Sequence, residues 1–192
     1  MEEELKKLYY ECVQELASIN INIIDNEHIG EIDISIAKRN AKRYGCCKHE
    51  EPNKKFYTKI RRERNIIIKY ERFKKHHIEI SKWVMDLDNK IIKNTIMHEI
   101  IHCFPDCNNH GASFKKYATY INKKLGYEIK RLGDKKLDYE ESNLEYKEDK
   151  ETYKYKIKCK KCGAIIYRKR FNKALIKKYR CGRCNGKLQL ID

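Results

Sequence analysis

From residue 2 to residue 19, apolar side chains return every three or four positions: Leu5, Leu8, Tyr9, Cys12, Val13, Leu16 and Ile19, with Glu and Lys between them. That spacing puts them on one face of an amphipathic helix. The period then changes. Ile32, Ile34 and Ile36 alternate with polar residues, as in a half-buried strand. The run 31–42 reads either as strand or as strand passing into helix. Gly45, in Tyr44-Gly45-Cys46-Cys47, marks a turn or bulge, and a strand fits 45–49. Ile66-Ile67-Ile68 and Ile78-Glu79-Ile80-Ser81 read as further strands. From about Asn89 the helical period returns, with Ile91, Ile92, Ile96, Met97, Ile100, Ile101 and Phe104 apolar almost all round, the pattern of a buried helix. Asp86 or Asp88 can cap its start, and Pro105 must lie beyond its end. Phe114, Tyr117, Ala118, Ile121 and Leu125 make one more helical face, closed by Gly126.

Between 133 and 152 apolar residues thin out and acids gather, which reads as an acidic linker with room for short helical turns. Beyond it, Ile165-Ile166-Tyr167 and Leu188-Gln189-Leu190 look like short strands of a separate unit. The expected organisation is therefore a domain over 1–132, a linker over 133–152 and a small unit over 153–192, of α+β class. Its 192 residues are enough for one medium domain plus a small one.

Charge sharpens this division. The chain carries a formal +16, but residues 153–192 hold fourteen Lys or Arg against Asp192 alone. An asymmetry of that kind points to an acidic partner. Between Lys54 and Lys75, ten Lys or Arg stand against Glu63 and Glu71, which fits a solvated hairpin or a phosphate-facing surface. No apolar run reaches the ~18–20 residues of a membrane span. The start, Met1-Glu2-Glu3-Glu4, lacks the order of a signal peptide, so a cytoplasmic protein with no membrane partner is expected, nucleoid-associated if the source is bacterial.

Within the buried helix stands His98-Glu99-Ile100-Ile101-His102. Residues four apart share a helix face, so two imidazoles can hold one zinc ion. Glu99, one residue on, can act as base toward a water activated by that ion and return the proton to a leaving amine. Two His and a Glu inside a core are costly unless bonded, and a metal resolves that cost. A catalytic zinc keeps three protein ligands and an open position. His110, past the Pro105 break, is the leading third ligand. Asp106, Cys107 or a more distant Glu are the competitors, and a Tyr or Arg nearby would assist the zinc at the oxyanion.

Nine Cys are unusual in a compartment that disfavours disulfides. Cys12 and Cys103 read as small buried hydrophobes. Cys159-x2-Cys162 and Cys181-x2-Cys184 have the spacing of a structural zinc site, closed by four thiolates. Around them Arg168, Lys169, Arg170, Lys173, Lys177, Lys178, Arg180 and Arg183 intermix with Tyr167, Phe171 and Tyr179. This mixture suits phosphate contact with base stacking, so DNA, single-stranded or partly unpaired, is the expected partner. Each ring taken singly reads as part of the small unit's core.

The order of His98-Glu99-x-x-His102, His110-Gly111-x-x-Phe114 and the four C-terminal Cys, together with the Tyr44-Gly45-Cys46 turn and the 78–81 strand, resembles the SprT-like family. That family includes the Spartan-type proteases that digest proteins crosslinked to DNA. The resemblance covers about residues 1–130 and 153–192. It implies a zincin-like, helix-rich metalloprotease core with a small antiparallel sheet and a C-terminal zinc ribbon. By that resemblance His98, His102 and His110 hold a catalytic zinc, Glu99 is the catalytic acid/base, and a second zinc is structural. DNA-bound proteins would be the substrates. A nucleic-acid-binding adaptor with a structural first zinc is the alternative, as is a general peptidase whose basicity reflects AT-rich codons.

Overall fold

The computed structural model describes residues 1–24, 26–38, 42–62, 65–147 and 153–191. Residues 39–41 of the possible strand-to-helix run, Glu63 and Arg64 of the basic segment, Glu148, Asp149, Lys150 and Glu151 of the acidic stretch, and Asp192 lie outside the described residues. The chain divides into two compact units, Met1–Tyr146 and Lys147–Asp192.

The first unit opens with helix α1, Glu2–Ser18, whose apolar face is buried as its spacing requires. Three strands make a mixed sheet in the order β1-β5-β2: β1 is Glu31–Ile36, β2 Gly45–Glu50 and β5 Lys75–Ile80. β2 runs antiparallel to β5, with Cys47 opposite Ile78. β1, however, runs parallel to β5, with Ile34 beside Ile78, so the sheet is not the antiparallel one expected. Parallel neighbours need a long connection, and here β2 and a hairpin supply it. That hairpin pairs β3, Tyr57–Arg62, with β4, Asn65–Tyr70, in the basic segment. The run of three Ile is thus a strand, but Ile66 is 66% exposed, so this hairpin contributes little to the core.

Helix α2, Asn89–Ile101, carries the His-Glu motif. Asp88 caps it by accepting from the Lys90 N–H at 2.8 Å. Ile92, Ile96, Met97, Ile100 and Ile101 are at most 1% exposed and pack against α1 and the sheet in one core. Each such side chain contributes roughly 1.5–3 kcal/mol by leaving water. On α2, Lys93 pairs with Glu11 and Glu15 of α1. Helix α3, Ala112–Leu125, follows the Pro105 break and ends at Gly126, whose φ of 74° gives the left-handed cap.

The first half of the expected linker holds a short helix and belongs to the first unit. Lys135–Glu141 forms a helix, α4, capped by Asp134. Tyr139 stacks on Trp83, Lys135 sits over the same indole, and the Tyr44 hydroxyl donates to Asp138. Docking through aromatic faces and hydrogen bonds needs no apolar stripe, so the hydropathy pattern gave no sign of it.

The second unit is built on β6, Tyr155–Cys159, which pairs antiparallel with β7, Ile165–Arg168, and with β8, Leu188–Leu190. A short helix, α5, spans Lys173–Lys178 between the Cys pairs, where no helix was expected. Its buried side chains are Ile157, Cys159, Cys181 and Leu188, with Phe171 and Leu175 partly buried against them.

Candidate active site

The last turn of α2 and the chain that follows it bring three imidazoles together. His98 is on α2 and His102 is its C-terminal cap. His110 returns just before α3. The Nε2 atoms stand 3.2 Å apart for His98–His102, 3.2 Å for His102–His110 and 2.9 Å for His98–His110. The Phe114 ring lies 4.8 Å from each of the three, forming the floor.

The other ring nitrogens account for this orientation. Nδ1 of His98 meets the Lys130 carbonyl at 2.9 Å, and Nδ1 of His102 meets the Cys107 carbonyl at 2.6 Å. A carbonyl accepts only, so both rings carry their proton on Nδ1 and turn a bare Nε2 inward. Bare nitrogens cannot hydrogen-bond to one another. A cation is what such a triangle accommodates. Ligand atoms on a tetrahedral zinc with bonds of ~2.0–2.1 Å are about 3.3 Å apart, close to the separations here. The donor set, its spacing and its carbonyl-anchored rings are compatible with zinc. Burial pushes His98 down to about 4, helped by the neighbouring His102 and His110, so it stands ready as a neutral ligand. Asp106 is exposed, and Cys107 uses its carbonyl on His102 while its thiol joins no ligand group among the described residues.

Glu99 is 5% exposed. Burial raises its carboxyl to about 8, with the Cys47 side chain adding to the rise and Arg43 and the Cys47 backbone N–H opposing it. Gly45 explains how the carboxylate fits. A Cβ on Gly45 would lie 2.9 Å from Glu99 Oε1 and 3.0 Å from its Cγ. Only a residue without a side chain lets β2 pass this close.

A cleft of about 750 Å³ opens over these groups. Its walls include Tyr44 to Cys47 of β2 and the turn before it, and Glu128 to Asp134 on the other side. Among the described residues β2 lies at the edge of its sheet, so its outer backbone side pairs with no other strand described. Arg131 also lines the cleft, and its charge lowers His110 after burial and His102. Tyr44 is committed to Asp138.

In the second unit Cys159, Cys162, Cys181 and Cys184 converge, with Sγ–Sγ distances of 3.5 Å for Cys159–Cys184 and 3.6 Å for Cys162–Cys181. Gly163 and Asn185, at φ 71° and 55°, make the two turns. This arrangement is compatible with a zinc ribbon. Arg168, Lys169, Arg170, Lys173, Lys177, Lys178, Arg180 and Arg183 are all exposed. Tyr167 and Tyr179 are exposed as well, whereas Phe171 belongs to the small core.

Sequence reasoning brought together the three His and Glu99. It missed the Lys130 and Cys107 carbonyls, whose role depends on backbone position and leaves no mark in residue type. It read Gly45 as a turn, though its close approach to Glu99 is what requires glycine. It also missed a third convergence, of Cys47, His76 and Cys103.

Among the described residues no helix is long and apolar enough to cross a membrane. A family model described as the SprT-like family matches residues 13–133, which include the three His, Glu99 and Gly45. A protein of Lactiplantibacillus plantarum described as Protein SprT-like is 27% identical over 122 residues, 60% of this chain and 71% of that protein.

Proposed function

The chain belongs to the SprT-like family, and on that premise we propose that it is a zinc-dependent metallopeptidase of the H-E-x-x-H type acting on proteins associated with DNA. The observation that carries this reading is the triangle of three inward Nε2 atoms beside a buried Glu99, at the floor of an open cleft. Zinc held by His98, His102 and His110 would supply Lewis acidity toward a water and a scissile carbonyl.

The chain's own residues do the rest. Glu99 accepts the proton of the attacking water and delivers it to the departing amine. Burial raises this carboxyl above the ordinary carboxylate range, which makes it a better proton acceptor toward the attacking water. The Cys47 N–H fixes its direction. Arg131, which lines the cleft and acts on His110 through its charge, is a candidate to assist the oxyanion. The outer side of β2 offers backbone groups along which an extended substrate segment adds as a strand. That selects unfolded or loosened polypeptide over compact domains. Asp106 and Cys107, the fourth ligands that a purely structural zinc would have called on, do not join the three-imidazole group among the described residues, which favours the catalytic reading over the adaptor.

The second unit is assigned to DNA. Eight exposed cations beside exposed Tyr167 and Tyr179 suit a strand whose phosphates are neutralised while its bases stack. The test uses zinc-loaded full-length protein, a DNA-binding substrate protein, and single-stranded or duplex DNA or none. Cleavage that rises with DNA supports the assignment. Cleavage indifferent to DNA, together with no DNA binding at low salt, would make the chain a general peptidase.

A further inference from the structure

Behind Glu99, three side chains from separate elements point at one spot. Cys47 comes from β2, His76 from β5 and Cys103 from the turn after α2. Cys47 Sγ is 3.7 Å from Cys103 Sγ and 3.5 Å from His76 Nδ1, and all three donor atoms lie within 4.8 Å of one another. We propose that this Cys–His–Cys cluster is a further metal site, for a thiophilic d10 cation such as Zn(II) or Cu(I). Bound there, the ion ties strand β2 to the end of α2 next to Glu99.

The spacings fit. Around a tetrahedral zinc with bonds of ~2.3 Å to sulfur and ~2.0–2.1 Å to nitrogen, two sulfurs lie about 3.7–3.8 Å apart and a sulfur and a nitrogen about 3.5–3.6 Å. The four-cysteine group of the same chain shows sulfur separations of 3.5 and 3.6 Å. Two sulfurs in plain van der Waals contact would stand at a similar distance, so the imidazole is the stronger sign. His76 is fully buried, and its Nε2 has no hydrogen-bond partner among the described residues. Leaving a buried polar atom unpaired costs about 1–3 kcal/mol. What holds the ring in this orientation is therefore its Nδ1 side, which faces the sulfurs. A neutral imidazole with its proton on Nε2 presents the Nδ1 lone pair to the cluster, the state in which histidine ligates. A weak thiol hydrogen bond does little to offset the orphaned Nε2, whereas a metal bond does.

Thiolate and imidazole are donors that Cu(I) and Zn(II) favour. Cys47 also lines the cleft, which gives the ion a route in and leaves room for a solvent oxygen as fourth ligand. The position has a consequence for the neighbouring site. Cys47 holds Glu99 through its own N–H, and Cys103 directly follows His102. An ion joining the two sulfurs fixes both the base and one of the three imidazoles. The site stands on its own donor atoms and does not depend on the peptidase reading.

The test is metal stoichiometry and 113Cd NMR on the full-length chain, stripped under reducing conditions and reloaded with cadmium. Three metal equivalents and three resonances are expected: one from the three-imidazole site, one from the four-thiolate site, and one from the mixed site of two thiolates and an imidazole. Cys103→Ala should remove one equivalent and the mixed-site resonance alone. His98→Ala should remove a different resonance and leave the mixed-site one, so failure of the three-His site and failure of this one read differently. Titration of stripped protein with Zn(II) and with Cu(I) then identifies which ion fills the third position, and either supports the proposal. Two equivalents in the unaltered chain would overturn it, a result that needs no variant to fold. So would stoichiometry unchanged by Cys47→Ala and Cys103→Ala, or a Cys47–Cys103 disulfide in the protein as purified.

Discussion

Gly45→Ala adds a single methyl group against the base of the proposed reaction. The new Cβ would lie 2.9 Å from Glu99 Oε1, 3.0 Å from Glu99 Cγ and 3.1 Å from the Glu79 carbonyl oxygen. Comfortable contacts begin near ~3.4 Å, so the carboxylate must retreat by about half an ångström. The Glu79 carbonyl is sheet backbone on β5 and gives little, which leaves Glu99 to move. Overpacking of this kind costs roughly 1–3 kcal/mol. At about 2–4 °C per kcal/mol for a chain of this size, the melting temperature should fall by ~2–12 °C. Activity should suffer more than stability. A misplacement near 1 Å costs up to ~100-fold, so a loss in kcat/KM of ~10-fold is expected from half that shift. The three imidazoles are not touched, and bound metal should stay at the unaltered level. The assay pairs hydrolysis of an unfolded fluorescent substrate with metal analysis and a melting curve. Unchanged kcat/KM would refute the close approach of β2 to Glu99. A loss of metal in step with activity would show that the damage passes through the His triangle.

Other outcomes follow from the same geometry. If the four Cys hold a structural zinc, worth ~10 kcal/mol or more, chelation should collapse the second unit while the first keeps its fold, because the four side chains buried there among the described residues cannot replace it; amide spectra with and without chelator read this directly. Lys177→Ala with Lys178→Ala should flatten the salt dependence of single-stranded DNA binding by about 1.4 in log–log slope, measured by titration at several salt concentrations, and an unchanged slope would remove these two residues from the contact. Glu79 is held below the ordinary carboxylate range, first by its hydrogen bond to Lys48, so its contribution is present above the unfolded carboxyl pKa and is lost as pH falls through the lower folded value. Lys48→Ala should therefore destabilise the chain by up to ~1 kcal/mol at pH 7 and by progressively less as pH falls below the unfolded carboxyl value, as urea melts across that range would register.

The site was legible in the sequence where chemistry coincides with local periodicity. His98, Glu99 and His102 are close in the chain, and the helix places them; His110 is close enough that a single break at Pro105 returns it. The four-cysteine cluster was legible for the same reason, since each Cys pair closes its own turn. What the sequence hid is long-range. The parallel pairing of β1 with β5 joins residues more than forty positions apart, and nothing in alternating Ile32, Ile34 and Ile36 specifies a partner's direction. Helix α4 docks by its aromatic and polar side chains, so a stretch poor in apolar residues read as a linker. Cys47, His76 and Cys103 come from two strands and a helix end, and no spacing rule collects them.

The central claim is that Glu99 moves the proton in a reaction at the three-His centre. It is tested most directly by comparing unaltered protein with Glu99→Gln, both loaded with zinc, on the same unfolded substrate. Gln keeps the shape and the Cys47 N–H contact but cannot take a proton. The expected result is full zinc content in both and loss of cleavage by at least ~100-fold in the variant, the scale of general acid–base catalysis. Equal cleavage by the two, at equal zinc content, would contradict it.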